Sequence, residues 1–165
     1  MYIVINKLPQ KSSQKMGLRQ IDHGSKEYLK MVELRSQVLR EPLGLKFSDD
    51  ELEKEKDDIL VAAFEEDELL GCCVISILDR TTFRLRQMAV LQNYQRRGIG
   101  ASLLNYVENI SRDRGCIKIM MHARLTALGF YKRMGYIVIG EPFEEIGLQH
   151  RYMEKTINSF NHSLS

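Results

Sequence analysis

The 165-residue chain contains no tryptophan, only three prolines and three cysteines, and carries a formal net charge of just +2. Each scarcity excludes something. Three cysteines without a Cys-x-x-Cys or Cys/His spacing supply neither a disulfide framework nor a zinc-type ligand set, so no metal site is expected. Cys72 and Cys73 are adjacent and face opposite sides of any strand they occupy; with Cys116 they read as small core residues. A near-neutral charge with no aromatic-rich basic surface argues against a nucleic-acid partner. No apolar run approaches the roughly 18 residues that span a bilayer, so no membrane partner is expected. Met1-Tyr2-Ile3-Val4-Ile5-Asn6-Lys7 has no basic leader before an apolar stretch and does not read as a secretion signal, which makes a cytoplasmic protein the default expectation.

What is present is ordinary globular composition, 44% hydrophobic and 28% charged. The length suits one domain that buries roughly two-thirds of its unfolded surface. No internal repeat or linker is visible; residues 6–16 and 158–165 are polar and read as loose ends around a core of about 18–155. Leu18–Asp22 reads as a short strand. Ser25 heads a helix whose apolar positions Tyr28, Met31, Val32, Val38 and Leu39 recur at helical spacing until Glu41-Pro42-Leu43-Gly44 stops it. The acidic stretch Ser48–Asp58 is a short exposed helix or a mobile loop, with Ser48 as cap. Ile59–Phe64 and Leu69–Leu78 form a hairpin around Glu65–Glu68, and Thr82–Leu91 is a third strand whose Arg84 and Arg86 give it a basic face. Gly98–Arg114 is an amphipathic helix with Ile99, Leu103, Val107 and Ile110 on one stripe. Strand Cys116–Met121, helix Arg124–Met134, strand Tyr136–Ile139 and strand Leu148–Lys155 complete an α/β arrangement with a mixed sheet.

The sharpest local feature is Gln95-Arg96-Arg97-Gly98-Ile99-Gly100, set between a strand and a helix. A helix N-terminus offers unpaired N–H groups and a partial positive charge, glycines let the backbone approach an anion, and arginines add charge. A dinucleotide fingerprint would need glycine where Leu103 stands, and no Gly-Lys-Ser/Thr of a Walker loop follows.

The segment resembles motif A of the GNAT N-acetyltransferase superfamily, Gln/Arg-x-x-Gly-x-Gly/Ala. Leu85–Val90 occupies the place of that family's bulged fourth strand, and Ala127–Tyr136 is similar to its Ala-x-x-x-Tyr-x-x-x-Gly-Phe/Tyr segment. Glu141–His150 resembles the ElaA-like branch of small bacterial members. The resemblance implies a mainly antiparallel central sheet flanked by helices and an acetyl-CoA-dependent transfer of an acetyl group to a primary amine, expected to be that of a small molecule. It implies a coenzyme A site built from Met88, Ala89, Val90, Gln95, Arg96, Arg97, Gly98, Ile99, Gly100, Ala101, Ala127 and Tyr131. Tyr131 is implied as general acid toward the leaving thiolate. A backbone N–H near Met88–Val90 is implied as oxyanion donor. One departure stands out: the family commonly has Asn where this chain has Arg124.

The base is less defined. His150, His122, Glu141, Glu144 and Glu145 are candidates; histidine titrates near neutrality, and His150 comes first because it falls in a strand-like segment opposite the acidic turn. His122, Glu144 and Glu145 are candidate substrate-binding residues, the two carboxylates as attractors of a cationic amine in an acidic turn. Two other readings stay open at this point: a non-catalytic acyl-CoA sensor, and an acetyltransferase acting on protein lysines. A homodimer paired through sheet edges or C-terminal strands is implied by the resemblance only.

Overall fold

In the computed structural model, which describes residues 16–157, a seven-stranded sheet runs in the order β1-β2-β3-β4-β5-β7-β6. The strands are β1 (Gly17–Ile21), β2 (Ile59–Glu65), β3 (Glu68–Ile77), β4 (Thr82–Val90), β5 (Lys118–Arg124), β6 (Ile137–Glu145) and β7 (Leu148–Thr156). The helices are α1 (Lys26–Arg35), α2 (Asp49–Glu53), α3 (Ile99–Asp113) and α4 (Leu128–Arg133). The polar ends read as loose fall outside the described residues, Met16 excepted. Among the described residues no helix is long and apolar enough to cross a membrane.

All neighbouring strands are antiparallel except β4 and β5, which pair in parallel only over Thr82–Arg84 and Lys118–Met120. Beyond those residues the two strands part, and the gap between their C-terminal halves is the architectural origin of the site.

The two sheet faces carry separate apolar clusters. One packs Val61, Cys73, Ile75, Phe83 and Leu85 against Leu103, Leu104 and Val107 of α3. The other packs Leu60, Ala62, Cys72 and Val74 against Tyr28, Met31 and Leu34 of α1. Cys72 and Cys73 therefore serve opposite faces, as their adjacency requires, and both are free thiols. Covering both faces explains why β2 and β3 read as nearly continuous apolar runs instead of alternating. Each fully buried Leu or Ile in these clusters contributes about 1.5–3 kcal/mol.

Local signals set most boundaries. Ser25 caps α1, its side chain accepting from the Tyr28 N–H at 3.1 Å. Past Arg35 the helix loosens into a π-helical turn over Ser36–Arg40, and Pro42 and Gly44 end it. Ser48 and Glu51 form a reciprocal capping box on α2.

Two expectations need correction. The helix expected from Arg124 begins later: β5 continues through Arg124, held by pairing with His150 of β7, and α4 starts only after a 3-10 turn at Leu125–Ala127. The strand expected to end at Ile139 runs on to Glu145, with a register shift between Ile139 and Phe143 where Gly140 adopts φ 76° and Pro142 lacks an N–H. The acidic segment is thus strand, and the turn is Ile146-Gly147, with φ of 49° and 76° as a primed hairpin turn demands. Of the two readings of Ser48–Asp58 the short helix holds, capped at Ser48 as expected, while Glu55 just beyond it is 1% exposed.

Candidate active site

Where β4 and β5 part, a cleft of about 930 Å³ opens, lined by β4, the loop 95–101, α4, the end of β5, the start of β7 and the π-helical end of α1.

The β4 side is shaped by a bulge. Register shifts between Cys72 and Val74 of β3, and opposite that shift Gln87 takes φ 54°, a left-handed conformation in a non-glycine residue. Past the bulge the Leu91 N–H donates to the Leu70 carbonyl at 2.8 Å, so by alternation Val90 and Met88 turn their backbone groups away from β3 and into the gap. Gln95 reaches back, its Nε2 donating to the Val90 carbonyl at 3.1 Å, and so fixes the start of the loop to the strand.

The loop itself is a concave array of backbone donors. Arg96 and Gly98 have φ of 67° and 80°, Gly98 is the N-cap of α3, and no side chain caps that helix. The N–H groups of Ile99, Gly100 and Ala101 therefore lack intrahelical partners, at the positive end of a 15-residue helix. A Cβ on Gly98 would meet nothing within 4 Å, so the space before these donors is open, whereas one on Gly100 would meet the Phe130 ring at 3.3 Å. Arg96 lines the cleft; Arg97 does not, and lies over the Tyr94 ring at 5.1 Å.

On the opposite wall α4 presents Ala127, Phe130 and Tyr131. Tyr131 is 7% exposed, its ring edge-on to Phe130 and Tyr136 at 5.1 and 5.9 Å, and no protein group among the described residues hydrogen-bonds its hydroxyl. Burial pushes its pKa above the ordinary phenol value, so the hydroxyl stays protonated at neutral pH.

The far end of the cleft is polar. His150 is buried, and its Nδ1 lies 2.8 Å from the Leu148 carbonyl. A carbonyl oxygen only accepts, so Nδ1 carries the proton and Nε2 of the neutral ring keeps its lone pair. Phe143 stacks on the ring at 5.9 Å. His122 differs: its Nδ1 is 3.0 Å from Arg84 Nη2 and 3.2 Å from Glu145 Oε2. Burial and then the Arg84 charge hold its pKa below the usual imidazole range, so the neutral ring accepts from Arg84 at Nδ1. Glu145 also pairs with Arg84 at 3.8 Å. Glu144, its neighbour on β6, is exposed and does not line the cleft, because adjacent strand residues face opposite ways. Of the two carboxylates expected to draw a cationic amine, one thus lies outside and the other is paired with Arg84. Glu141 is exposed on the same strand and outside the cleft.

Sequence reasoning did not single out the residues that the end of α1 and the start of α2 add to the cleft. Leu39, Arg40 and Glu51 line the cleft, Arg40 pairing with Glu51 at 3.1 Å and lying over the Phe47 ring at 4.1 Å. Arg124 spans the cleft, its Nη2 donating to the Leu39 carbonyl at 2.7 Å. The resemblance put Ser48–Asp58 where the family's acceptor-lining helix lies, but no residue pattern in 35–47 marks Leu39 or Arg40 as part of a site.

Comparison with known proteins gives the family and the fold. The family model described as the acetyltransferase (GNAT) domain matches residues 26–157. YyaT of Bacillus subtilis is 28% identical over 109 residues, which span 66% of this chain and 72% of that protein. An aminoglycoside 6′-N-acetyltransferase complexed with coenzyme A superposes with a TM-score of 0.72 at 20% identity, over 86% of this chain and 97% of its own. Escherichia coli ElaA gives a TM-score of 0.72 at 19% identity, over 86% of this chain and 99% of its own. The chain belongs to the GNAT acetyltransferase family.

Proposed function

We propose that this acetyltransferase uses acetyl-CoA to acetylate a primary amine of a small molecule, by direct attack with both substrates bound. The observation that carries the reading is the meeting, in one cleft, of a helix N-terminus left uncapped beside open space, a bulged strand that turns backbone groups into the gap, and a buried tyrosine whose hydroxyl has no partner among the described residues. The residues fit the coenzyme. Gln95–Ala101 offer backbone donors and Arg96 a charge to its pyrophosphate, Met88–Val90 offer strand-like pairing to its amides, and Ala127 leaves room beside Tyr131. When bound, acetyl-CoA supplies an activated acetyl thioester.

The protein's own groups then have three tasks. His150 Nε2, with its lone pair free, takes the proton from the ammonium so that the amine can attack. An N–H of Met88 or Val90, turned into the gap, donates to the carbonyl oxygen as negative charge gathers on it. The Tyr131 hydroxyl, kept protonated by burial, donates to the departing sulfur.

Calorimetric titration with acetyl-CoA, followed by thiol release over a panel of amines, tests this. Binding with release for a small amine is the expected result. Binding without release from any amine would mean a sensor, and release only from lysine-containing proteins would move the acceptor class.

A further inference from the structure

The acceptor end of the cleft holds an imbalance of charge. Four arginines surround it, and three have a carboxylate within 4 Å: Arg40 has Glu51 at 3.1 Å, Arg84 has Glu145 at 3.8 Å, and Arg86 has Asp58 at 3.8 Å. Arg124 has none among the described residues. Among the described residues its one hydrogen bond goes to the Leu39 carbonyl, which uses one of the guanidinium's five donors. It lines the cleft and is half-buried, and its pKa is lowered by burial and by the nearby Arg40. Arg84 is also incompletely matched, since its buried Nε has no partner. A partly desolvated guanidinium without a counter-charge is costly, and it marks the place where an anion from outside would gain most.

Position sharpens the chemistry. Arg124 on β5 is the direct cross-strand partner of His150 on β7. Such neighbours share a face with Cβ atoms roughly 4.5–5.5 Å apart, so a base for the amine and a cation for an anion stand side by side. A substrate using both carries its amine and its anionic group within a few bonds of each other, and the acid groups common to such molecules are carboxylate and phosphate.

We infer that the acceptor is a small amino acid-type molecule whose acidic group is held by the Arg124 guanidinium beside the amine-facing His150. This rests on the acetyl-transfer reading for its use, and on the charge layout for its chemistry. The guanidinium's planar fork suits bidentate capture of an acid group, and that capture fixes the amine in front of His150. The carboxylates at this end are already paired with Arg40, Arg84 and Arg86, which leaves Arg124 to recognise an anion.

The test is equilibrium binding to protein saturated with coenzyme A, using free amino acids, their carboxamides and the matching aminoalkyl phosphonates. Acids or phosphonates should bind at least about tenfold tighter than the amides, as expected for charge-assisted hydrogen bonds. Whichever of the two wins names the acid group. The preference should vanish in Arg124→Gln and partly return in Arg124→Lys, which restores charge but not the fork. Equal binding of acids and amides to the wild type would overturn the inference without needing any variant to fold, and so would a preference that survives Arg124→Gln. Thiol release separates the two readings: an acid preference without release leaves the anion site standing and removes the transfer, whereas release that favours neutral amines does the reverse.

Discussion

Arg35 of α1 and Glu55 form a two-pronged ion pair sealed from solvent, with side chains 0% and 2% exposed. Tyr28 completes it, its hydroxyl donating to Glu55 Oε2 at 2.7 Å, and the Arg35 guanidinium lies 4.7 Å from the Phe47 ring. The pair fastens the acidic segment to the helix whose far end forms a wall of the cleft. Breaking it on one side strands a buried charge. Glu55→Gln is therefore expected to cost about 3–5 kcal/mol in urea unfolding, whereas Tyr28→Phe should cost about 1 kcal/mol. A Glu55→Gln loss below 1 kcal/mol would show that water reaches the pair.

Tyr131→Phe isolates the acid. The hydroxyl is the only group removed, and it is asked to act only as sulfur leaves, so kcat should fall about 10²-fold or more while acetyl-CoA affinity holds. The pH profile adds a second reading. Because burial raises the pKa above the phenol value of about 10, the acid form persists across the alkaline range, and wild-type kcat should not fall below pH 10. An alkaline limb near pH 8 that disappears in Tyr131→Phe would contradict this placement.

His150→Gln separates base from acid. A base matters only while the amine is protonated, so the variant should lose most kcat/KM well below the acceptor's own pKa and recover toward wild type above it. A uniform loss at every pH would instead make His150 a positioning residue.

Much of this was legible in the sequence, and what was not has physical causes. β2, β3 and α3 bury whole faces, so their apolar patterns survive in one dimension. The phosphate loop was legible because backbone geometry needs glycine at Gly98, with φ 80°. β6 was read short because it is an edge strand, exposed along Glu141 and Pro142, with no alternation to betray it. Arg35 and Glu55 lie 20 residues apart in charged surroundings, and a charge in sequence reads as solvent-facing until its partner is seen. Arg124 was marked only by departing from a pattern; its bond to Leu39 spans 85 residues.

The loop makes a paired prediction. Gly98 needs its left-handed backbone but has free space around it, while Gly71 has an ordinary backbone and no space. A Cβ at Gly71 would stand 3.0 Å from Ile99 Cγ2, 3.1 Å from Leu103 Cδ1 and 3.2 Å from the Ala89 carbonyl. Gly71→Ala should push α3 off the sheet, costing about 1–3 kcal/mol of stability and weakening coenzyme A binding through the shifted loop. Gly98→Val should cost stability through strain and also fill the approach to the donors, while Gly98→Asn tolerates the conformation and should keep more stability. Wild-type coenzyme A affinity in a folded Gly98→Val, measured by calorimetry, would remove the loop from the binding site.

The adjacent thiols Cys72 and Cys73 predict how the fold responds to alkali. Burial pushes Cys72 up to about 12 and holds Cys73 well above the ordinary thiol range, so both stay neutral in the folded chain while their unfolded counterparts ionise above about pH 8.5. The folded state then binds more protons than the unfolded one. The stabilisation is complete below pH 8.5 and is lost as pH climbs toward about 12, the reverse of a salt-bridged carboxylate. At pH 10 the unfolded chain gains about 2 kcal/mol for each thiol. Urea midpoints compared at pH 7.5 and 10 should show this loss, and Cys72→Ala/Cys73→Val should remove about 4 kcal/mol of it whatever its baseline stability. The buried tyrosines Tyr28, Tyr131 and Tyr136 are raised in the same sense but add only about 1 kcal/mol together at pH 10, so an alkaline loss of equal size in the double variant would remove the thiols as its source.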